Sequence, residues 1–487
     1  MTNWLFHLII MPILLRKELL LMKYDTVIRN GRVVTPMEII ESEVGISEGK
    51  IVAIGSNLAA SADSVIDAHG QLVLPGMVDA HVHINEPGRS GWEDYNTGSK
   101  ALAAGGTTSM VVMPLNALPA RTTQKDFEAQ RQIAASKSYI DFALYGGLVP
   151  GNLSEIEKMA DSGAAGFKAF MATTGTDIPG DFKNVDDYEL FRGMQAIAKT
   201  GLRLSLHAEN AVLTDRLAEE FESEGKTSIQ DYVDSRPPMV EVEAVRRALY
   251  LARQAGCKLH FVHLSTGEAV REVVKARNEG QDVTCETCVH YLTLTVDDFK
   301  KIGPEAKCSP ALRTKDVLDD LWKMVESGAV SAVTSDHSPA PLSMKQDPDN
   351  NIFNIWGGIT GAQNNVDLFY DVAVKSGRLS ILEFTKLIAQ GPAELFGLKN
   401  KGQISIGYDA DFTFLDPDQS YIEKPEDLYY KNPHSAYIGR KINARVTQTI
   451  LRGKTIYTLK GGIVGQSKGM FLLNSKNRKV NANAVNA

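Results

Sequence analysis

The stretch Pro75-Gly-Met-Val-Asp79-Ala-His81-Val-His83 is an apolar run that ends in two histidines. If Met77 to His83 is a β-strand, alternate side chains face the same side, so His81 and His83 project together. Two imidazoles placed in this way can bind one metal ion, but an isolated His-x-His pair is more often an ordinary polar strand end. The metal interpretation therefore depends on ligands that arrive later in the chain.

Strands and helices alternate around this stretch, from residue 75 to residue 401. The predicted strands are 77–83, 107–113, 139–146, 166–171, 202–207, 258–263, 281–288 and 329–335. Eight strands, each followed or preceded by a predicted helix, favour an α/β fold, namely a (β/α)8 barrel of the TIM type. Active sites of such barrels lie at the C-terminal ends of the strands.

Those strand ends carry residue types that bind metals. His81 and His83 end the first strand, His207 the fifth and His263 the sixth, and Asp336 follows the eighth. The chain has ten histidines, and four of them fall at these ends. Because one catalytic zinc needs only three protein ligands, this set predicts two metal ions roughly 3.5–4 Å apart.

Short strand-like runs separated by turns fill residues 22–74 and return in residues 402–460. Asn30-Gly31 lies between two β-branched runs and predicts a β-hairpin. Since chain ends often lie close together, the two flanks predict one small β-sandwich that the barrel interrupts. Residues 461–487 are predicted to form a C-terminal tail.

The composition indicates a protein with a large core that acts on small molecules. Of its 487 residues, 43% are hydrophobic, and the net charge is −7 without a basic run to bind nucleic acid. Four cysteines are too few for a disulfide framework and favour a reducing, cytoplasmic compartment. The pair Cys285-Glu-Thr-Cys288 lacks the second pair of a structural zinc site, so we interpret both cysteines as packing residues.

The first 21 residues are interpreted separately. Trp4 to Leu15 is apolar, but it lacks the preceding positive charge of a signal peptide and is too short to span a bilayer. We expect residues 1–21 to be a disordered extension or a non-native start, with Met22 as the natural first residue. No membrane partner is expected.

Six motifs, taken in order, resemble those of the cyclic amidohydrolases, the family of dihydroorotases, hydantoinases and allantoinases. The motifs are Asp79-Ala-His-Val-His83, Gly166-Phe-Lys168, Leu206-His-Ala-Glu-Asn210, His263-Leu-Ser265, Lys307-Cys-Ser-Pro310 and Ser335-Asp-His-Ser-Pro339. Considered alone, Lys168 is a paired or snorkelling barrel lysine, because an ammonium group cannot bind a cation. The resemblance implies instead that carbon dioxide carbamylates Lys168 and that the carbamate bridges two metals.

The resemblance also assigns the other ligands and the reaction. It implies that His81 and His83 bind the first metal, and that His207 and His263 bind the second. Asp336 would bind the first metal and pass a proton to the departing nitrogen when a bridging hydroxide hydrolyses a cyclic amide. The implied metal is zinc, with cobalt or manganese as alternatives, and the implied assembly is a homotetramer.

Departures from the family patterns indicate the substrate. Dihydroorotases carry arginine two positions after the second histidine, where this chain has Asn85, so we expect a substrate without a carboxylate. Hydantoinases typically place tyrosine five positions after the modified lysine, where this chain has Thr173. Three loops resemble those of allantoinases, which open the hydantoin ring of allantoin to allantoate: Ile84-Asn-Glu-Pro-Gly-Arg89-Ser-Gly-Trp92-Glu93, Met113-Pro-Leu-Asn116 and Asp336-His-Ser-Pro-Ala-Pro341.

Four residues are predicted to contact substrate: Ser309 through its backbone, Asn85, Asn116 and Ser338. The last three also fit a loop-capping role. His290 is expected to make structural hydrogen bonds, and His260 has no ligand-like context. Two alternative functions stay open, a hydantoinase or dihydropyrimidinase acting on other cyclic amides, and a non-catalytic scaffold.

Overall fold

The structure is a computed structural model that describes residues 23–174, 178–466 and 468–477. The predicted extension at residues 1–21 lies outside the described residues, as do residues 478–487 of the predicted tail. Among the helices of the described ranges, none combines the length and apolar character that a membrane crossing requires.

Seven strands precede the barrel and belong to two different sheets. They are β1 (Tyr24–Arg29), β2 (Arg32–Val34), β3 (Ile39–Glu41), β4 (Glu43–Ser47), β5 (Lys50–Gly55), β6 (Ala62–Asp67) and β7 (Leu72–Pro75). One sheet has the order β5-β4-β1-β6, whereas β2, β3 and β7 join a second sheet.

The hairpin predicted at Asn30-Gly31 is wrong. Asn30 does turn the chain with φ 55°, but β1 pairs with β4 and β6 while β2 pairs with β3 and β7. The Asn30 side chain donates to Asp67 at 2.8 Å, and a Cβ on Gly31 would lie 2.6 Å from Cγ2 of Val73. The turn therefore carries the chain from one sheet to the other, because distant strands supply better partners than the adjacent one.

The barrel wall consists of nine strand segments. They are β8 (Met77–Val82), β9 (Thr107–Val112), β10 (Asp141–Leu144), β11 (Gly146–Gly147), β12 (Phe167–Phe170), β13 (Arg203–His207), β14 (Lys258–Phe261), β15 (Val283–Cys288) and β16 (Ala332–Thr334). The third barrel strand is divided into β10 and β11, because the amide of Tyr145 bonds back to Val112 and that of Gly146 bonds forward to Gly166.

The barrel closes where its last strand meets its first. His83 N donates to the carbonyl of His337 at 2.9 Å, and Val82 forms a parallel bridge with His337. The remaining neighbours pair in parallel in chain order. The predicted (β/α)8 barrel is confirmed.

Helices connect the barrel strands and cover the outside. They are α1 (Tyr95–Ala104), α2 (Gln124–Lys137), α3 (Leu153–Asp161), α4 (Asp187–Thr200), α5 (Ala211–Ser223), α6 (Ile229–Asp234), α7 (Pro238–Ala255), α8 (Gly267–Asn278), α9 (Val289–Thr293), α10 (Val296–Ile302), α11 (Lys315–Glu326), α12 (Asn365–Tyr370), α13 (Ile381–Thr385) and α14 (Gly391–Leu395). Local sequence fixes several of their starts. Asp186 and Glu189, for example, form a capping box at α4.

The chain returns to the second sheet after the barrel. Its last strands are β17 (Phe412–Asp416), β18 (Tyr421–Ile422), β19 (Lys441–Ile442), β20 (Arg445–Leu451), β21 (Lys454–Thr458) and β22 (Gly462–Ile463). The sheet order is β22-β21-β20-β17-β7-β2-β3, and Val73 of β7 lies opposite Phe414 of β17. Apolar side chains from both flanks fill the space between the two sheets, and the predicted β-sandwich is confirmed.

A buried lysine joins the sandwich to the barrel. Lys401 Nζ lies 2.6 Å from Asp141, 2.8 Å from Asp409 and 2.7 Å from Asp411. The three carboxylates are spaced closely enough for a metal ion, but the ammonium group, with Lys50 at Asp409 and Arg452 at Asp141, already supplies the balancing charge. This cluster is therefore a structural junction.

Candidate metal centre

One cavity at the C-terminal ends of the barrel strands is lined by most of the predicted site residues: His81, His83, Asn116, His207, His263, Ser309, Asp336 and Ser338. Lys168 and Asn85 are not among its lining residues, since both are fully buried in the wall. The Asn85 side chain donates to the carbonyl of Pro339 at 3.1 Å. Strand geometry thus brings together the ends of four strands, β8, β13, β14 and β16, and the loops that carry Asn116 and Ser309.

The imidazoles lie in mutual contact around Asp336. The ring centroid of His81 lies 5.4 Å from that of His83 and 5.3 Å from that of His263. The ring centroids of His207 and His263 are 4.6 Å apart. Oδ1 of Asp336 is 3.1 Å from Nε2 of His81 and 3.3 Å from Nε2 of His83. One donor atom each from His81, His263 and Asp336 lies within 4.8 Å of the others.

Backbone conformation helps to aim two of these side chains. His263 and Asp336 have φ values of 42° and 43°, in the left-handed region that residues other than glycine seldom adopt. Such conformations cost free energy and are retained where the surrounding structure fixes them, often at active sites. Both residues lie two positions beyond the end of a barrel strand.

Burial keeps the imidazoles uncharged. It lowers the pKa of His81, His207 and His263 below the ordinary histidine value, because the low-dielectric interior disfavours the imidazolium ion. A neutral imidazole keeps a lone pair for a metal. The histidines are therefore in the protonation state that metal binding requires.

Lys168 is an unpaired amine inside the barrel. Its Nζ has no hydrogen-bond partner in the part of the chain that the structure describes, and it lies 4.8 Å from the ring centroid of Phe170. Burial lowers the pKa of Lys168 to about 7, although the charges of Asp336 and Glu286 oppose that shift. A substantial fraction of this amine is therefore uncharged at neutral pH.

Two glutamates that the sequence analysis assigned no role hold the histidines in place. Glu286 on β15 lies 2.6 Å from Nδ1 of His81 and 3.0 Å from Nε2 of His260. Glu209 lies 2.7 Å from Nε2 of His207 and accepts from Ser309 Oγ at 3.1 Å. Their sequence positions could have indicated this role, because Glu209 follows His207 by two residues and Glu286 lies inside a predicted barrel strand.

Other predictions near the cavity have mixed outcomes. Cys285 and Cys288 are buried free thiols that pack in the core, as expected. His260 contacts Glu286 although its sequence context gave no reason to expect a role. His290 Nε2 is buried without a hydrogen-bond partner within the described residues, so its expected structural bond is not seen at that atom.

The cavity also contains cations that were not predicted. Arg236 and Lys307 line it together with Tyr232 and Trp356. The absence of an arginine at Asn85 therefore does not leave the site without a guanidinium group, because the loop before α7 supplies one. Sequence position alone could not place this loop against the cavity.

Comparison with known proteins places the chain in a family. The model of the amidohydrolase family matches residues 72–456. The chain belongs to the amidohydrolase family. This metal-dependent family agrees with the convergent donors described above, and its members include the cyclic amide hydrolases that the six motifs resemble.

Amidohydrolases of two named activities are similar to the chain. Allantoinases of Salmonella newport and Salmonella typhimurium are each 46% identical over 453 residues, which cover 93% of this chain and 99% of theirs. The L-hydantoinase (dihydropyrimidinase) of Arthrobacter aurescens has a TM-score of 0.89 at 34% identity and covers 92% of this chain and 100% of its own. The D-hydantoinase of a Thermus species has a TM-score of 0.86 at 27% identity, with coverage of 93% and 99%.

Proposed function

We propose that the protein is a hydrolase that opens the hydantoin ring of allantoin and releases allantoate, a step of purine catabolism. The observation that carries this proposal is the 46% identity with allantoinases along 93% of the chain. The polar lining of the cavity also suits allantoin, because this substrate presents several amide and ureido groups that need hydrogen-bond partners.

The proposed cofactor is a pair of divalent ions, with zinc preferred and cobalt or manganese as alternatives. Its proposed ligands are His81, His83, Lys168, His207, His263 and Asp336. Neutral buried imidazoles and a carboxylate are suitable donors, and the orphaned amine of Lys168 has no other use within the described residues. When bound, such ions supply Lewis-acid activation of a carbonyl group and lower the pKa of water towards neutrality.

Lys168 is proposed to become a ligand by carbamylation. Its neutral amine attacks the carbon of carbon dioxide, so that a carbon–nitrogen bond forms, one carbon–oxygen π bond breaks and the nitrogen releases one proton to water. The neutral amine thereby becomes a carbamate anion with two oxygen donors. The uncharged fraction of the amine at neutral pH supports this step, because an ammonium group has no lone pair to react.

The chain's own residues are proposed to move protons and hold the ring. Asp336 accepts the proton of the attacking water and returns it to the ring nitrogen as the amide carbon–nitrogen bond breaks. Ser309 contacts the ring through its backbone, and Asn116 and Ser338 offer further hydrogen bonds from the cavity wall. Asn85 is proposed to support the cavity wall without lining it, because its side chain donates a hydrogen bond to the carbonyl of Pro339.

A substrate panel with metal reconstitution tests the function. The purified protein is stripped with a chelator and reloaded with zinc, cobalt or manganese, and turnover is measured on allantoin, 5-monosubstituted hydantoins and dihydrouracil. Allantoin should have the highest kcat/KM, and the stripped protein should be inactive. Preference for the other two substrate classes would make the protein a hydantoinase or dihydropyrimidinase, and inactivity with every metal would favour a scaffold.

We further propose a homotetramer in the cytoplasm. The four free, buried cysteines suit a reducing compartment, and the tetramer follows from the family resemblance. Light scattering of the purified protein measures the mass of the assembly, and a monomer mass would contradict the proposal.

A further inference from the structure

Arg236 places an unused guanidinium group in the catalytic cavity. The residue lines the cavity, and its side chain makes no hydrogen bond or ion pair with any residue in the described ranges. Its Nε is buried and lacks a partner. A buried donor that is left unpaired costs free energy, so such a group is expected where a ligand completes its bonds.

Aromatic packing, rather than an ion pair, holds the guanidinium group in place. Cζ of Arg236 lies 5.2 Å from the ring centroid of Tyr232. The Tyr232 hydroxyl donates to the carbonyl of Cys308 at 2.9 Å, which ties this ring to the segment that carries Ser309. The backbone carbonyl of Arg236 accepts from Arg313. The guanidinium group is thus fixed beside the proposed ring-binding segment, and its N–H donors have no acceptor within the described residues.

An acceptor group also lines this cavity. Thr173, another lining residue, donates its hydroxyl to the Asp215 carboxylate at 2.6 Å. The cavity lining at Thr173 and Arg236, here called the corner, therefore offers guanidinium N–H donors and a hydroxyl oxygen that can accept a hydrogen bond.

We propose that this corner binds the exocyclic ureido group of the substrate, with Arg236 donating to the ureido carbonyl oxygen. The inference rests on the proposed function. A ureido group has one carbonyl acceptor and a terminal amide donor, so it complements a guanidinium group together with the hydroxyl oxygen of Thr173, whose own proton is donated to Asp215. The same group is what distinguishes allantoin from unsubstituted hydantoin, which makes Arg236 a specificity-determining residue.

The test compares Arg236→Met and Arg236→Lys with wild type on two ligands. Allantoin is followed by its kcat/KM, and hydantoin, which lacks the ureido group, by its inhibition constant against allantoin turnover. Arg236→Met should lower kcat/KM for allantoin about 10–100-fold, mainly through KM, because a charged hydrogen bond is lost. The hydantoin inhibition constant should change less than about threefold. Arg236→Lys should recover part of the loss, since it keeps the charge without the planar fork.

Arg216→Met is the matched control, because Arg216 lies on the exposed side of α5 and pairs with Glu219. Metal content and Tm are measured for every variant, so that misfolding is recognised. Equal weakening of both ligands, or no effect on either, would overturn the proposal. Relief of inhibition by allantoate at unchanged kcat/KM would assign Arg236 to the product carboxylate instead. Failure of wild type to hydrolyse allantoin refutes the proposed function itself and is seen before any variant is compared.

Discussion

Glu286 Oε1 lies 2.6 Å from Nδ1 of His81 deep inside the barrel. The bond occupies one ring nitrogen and leaves Nε2 of His81 directed at Asp336. The second oxygen of Glu286 is held by His260, whose other ring nitrogen lies 2.9 Å from the Thr284 hydroxyl. A chain of buried groups therefore fixes the orientation of a proposed metal ligand from behind.

Glu286→Gln should weaken metal binding about 10–100-fold, because an amide cannot hold the imidazole as the carboxylate does. Chelator competition with measurement of bound metal gives the affinity. Glu268→Gln on α8 is the matched control, because the Glu268 side chain is 53% exposed. Unchanged affinity in Glu286→Gln would show that His81 needs no such support.

Lys168→Ala should abolish turnover, because the proposed bridging anion cannot form without the amine. Short carboxylic acids should restore part of the activity by occupying the space of the missing carbamate. Turnover and metal content with and without acetate or propionate are the measurements, and the exposed Lys158→Ala is the control. Full activity with two bound metals in Lys168→Ala would remove Lys168 from the site.

The sequence was sufficient to predict the barrel and to place the histidines at its rim, because the strand pattern is encoded locally, whereas their role as metal ligands stays a prediction. His81 and His83 alternate on one strand, and strand ends of a barrel meet at one rim. The support from Glu286 was not predictable in the same way, since it crosses the barrel interior and depends on how the ring closes. The turn at Asn30 was recognised correctly, but its partner strands were not, because pairing is decided by distant residues.

Lys401→Met should lower the free energy of unfolding by about 3–5 kcal/mol, because it removes the cation shared by Asp141, Asp409 and Asp411 and leaves the buried Asp411 without an ion pair within the described residues. Thermal unfolding should show a marked fall in Tm. Lys50→Met is the comparison, since Lys50 pairs with Asp409 alone and its side chain is 42% exposed. Equal Tm values for the two variants would contradict the junction described for Lys401.

Asp367→Asn should stabilise the protein at pH 8 but not at pH 5. Burial raises the pKa of Asp367 to about 7, and the group accepts a hydrogen bond from Tyr421 at 2.7 Å. Between about pH 4 and pH 7 the folded state holds more protons at this carboxyl than the unfolded state, so stability falls as pH rises. The loss amounts to at most about 4 kcal/mol, and asparagine avoids it.

Tm measured at several pH values from 5 to 8 checks this prediction. The Tm of Asp367→Asn should rise progressively above that of wild type, whereas Asp319→Asn, a change at a 40% exposed side chain, should follow wild type at every pH. A Tm difference that stays constant over this pH range would show that Asp367 does not change its protonation state between pH 5 and pH 8.

The antiparallel pairing of β7 with β17 has a consequence for biosynthesis. The ribosome delivers β7 early and β17 only after the whole barrel has emerged, so the nascent chain carries an apolar strand edge that has no partner during most of translation. A polypeptide released before Phe412 is made would never supply the partner of that edge. Such fragments would be targets for chaperones or proteases.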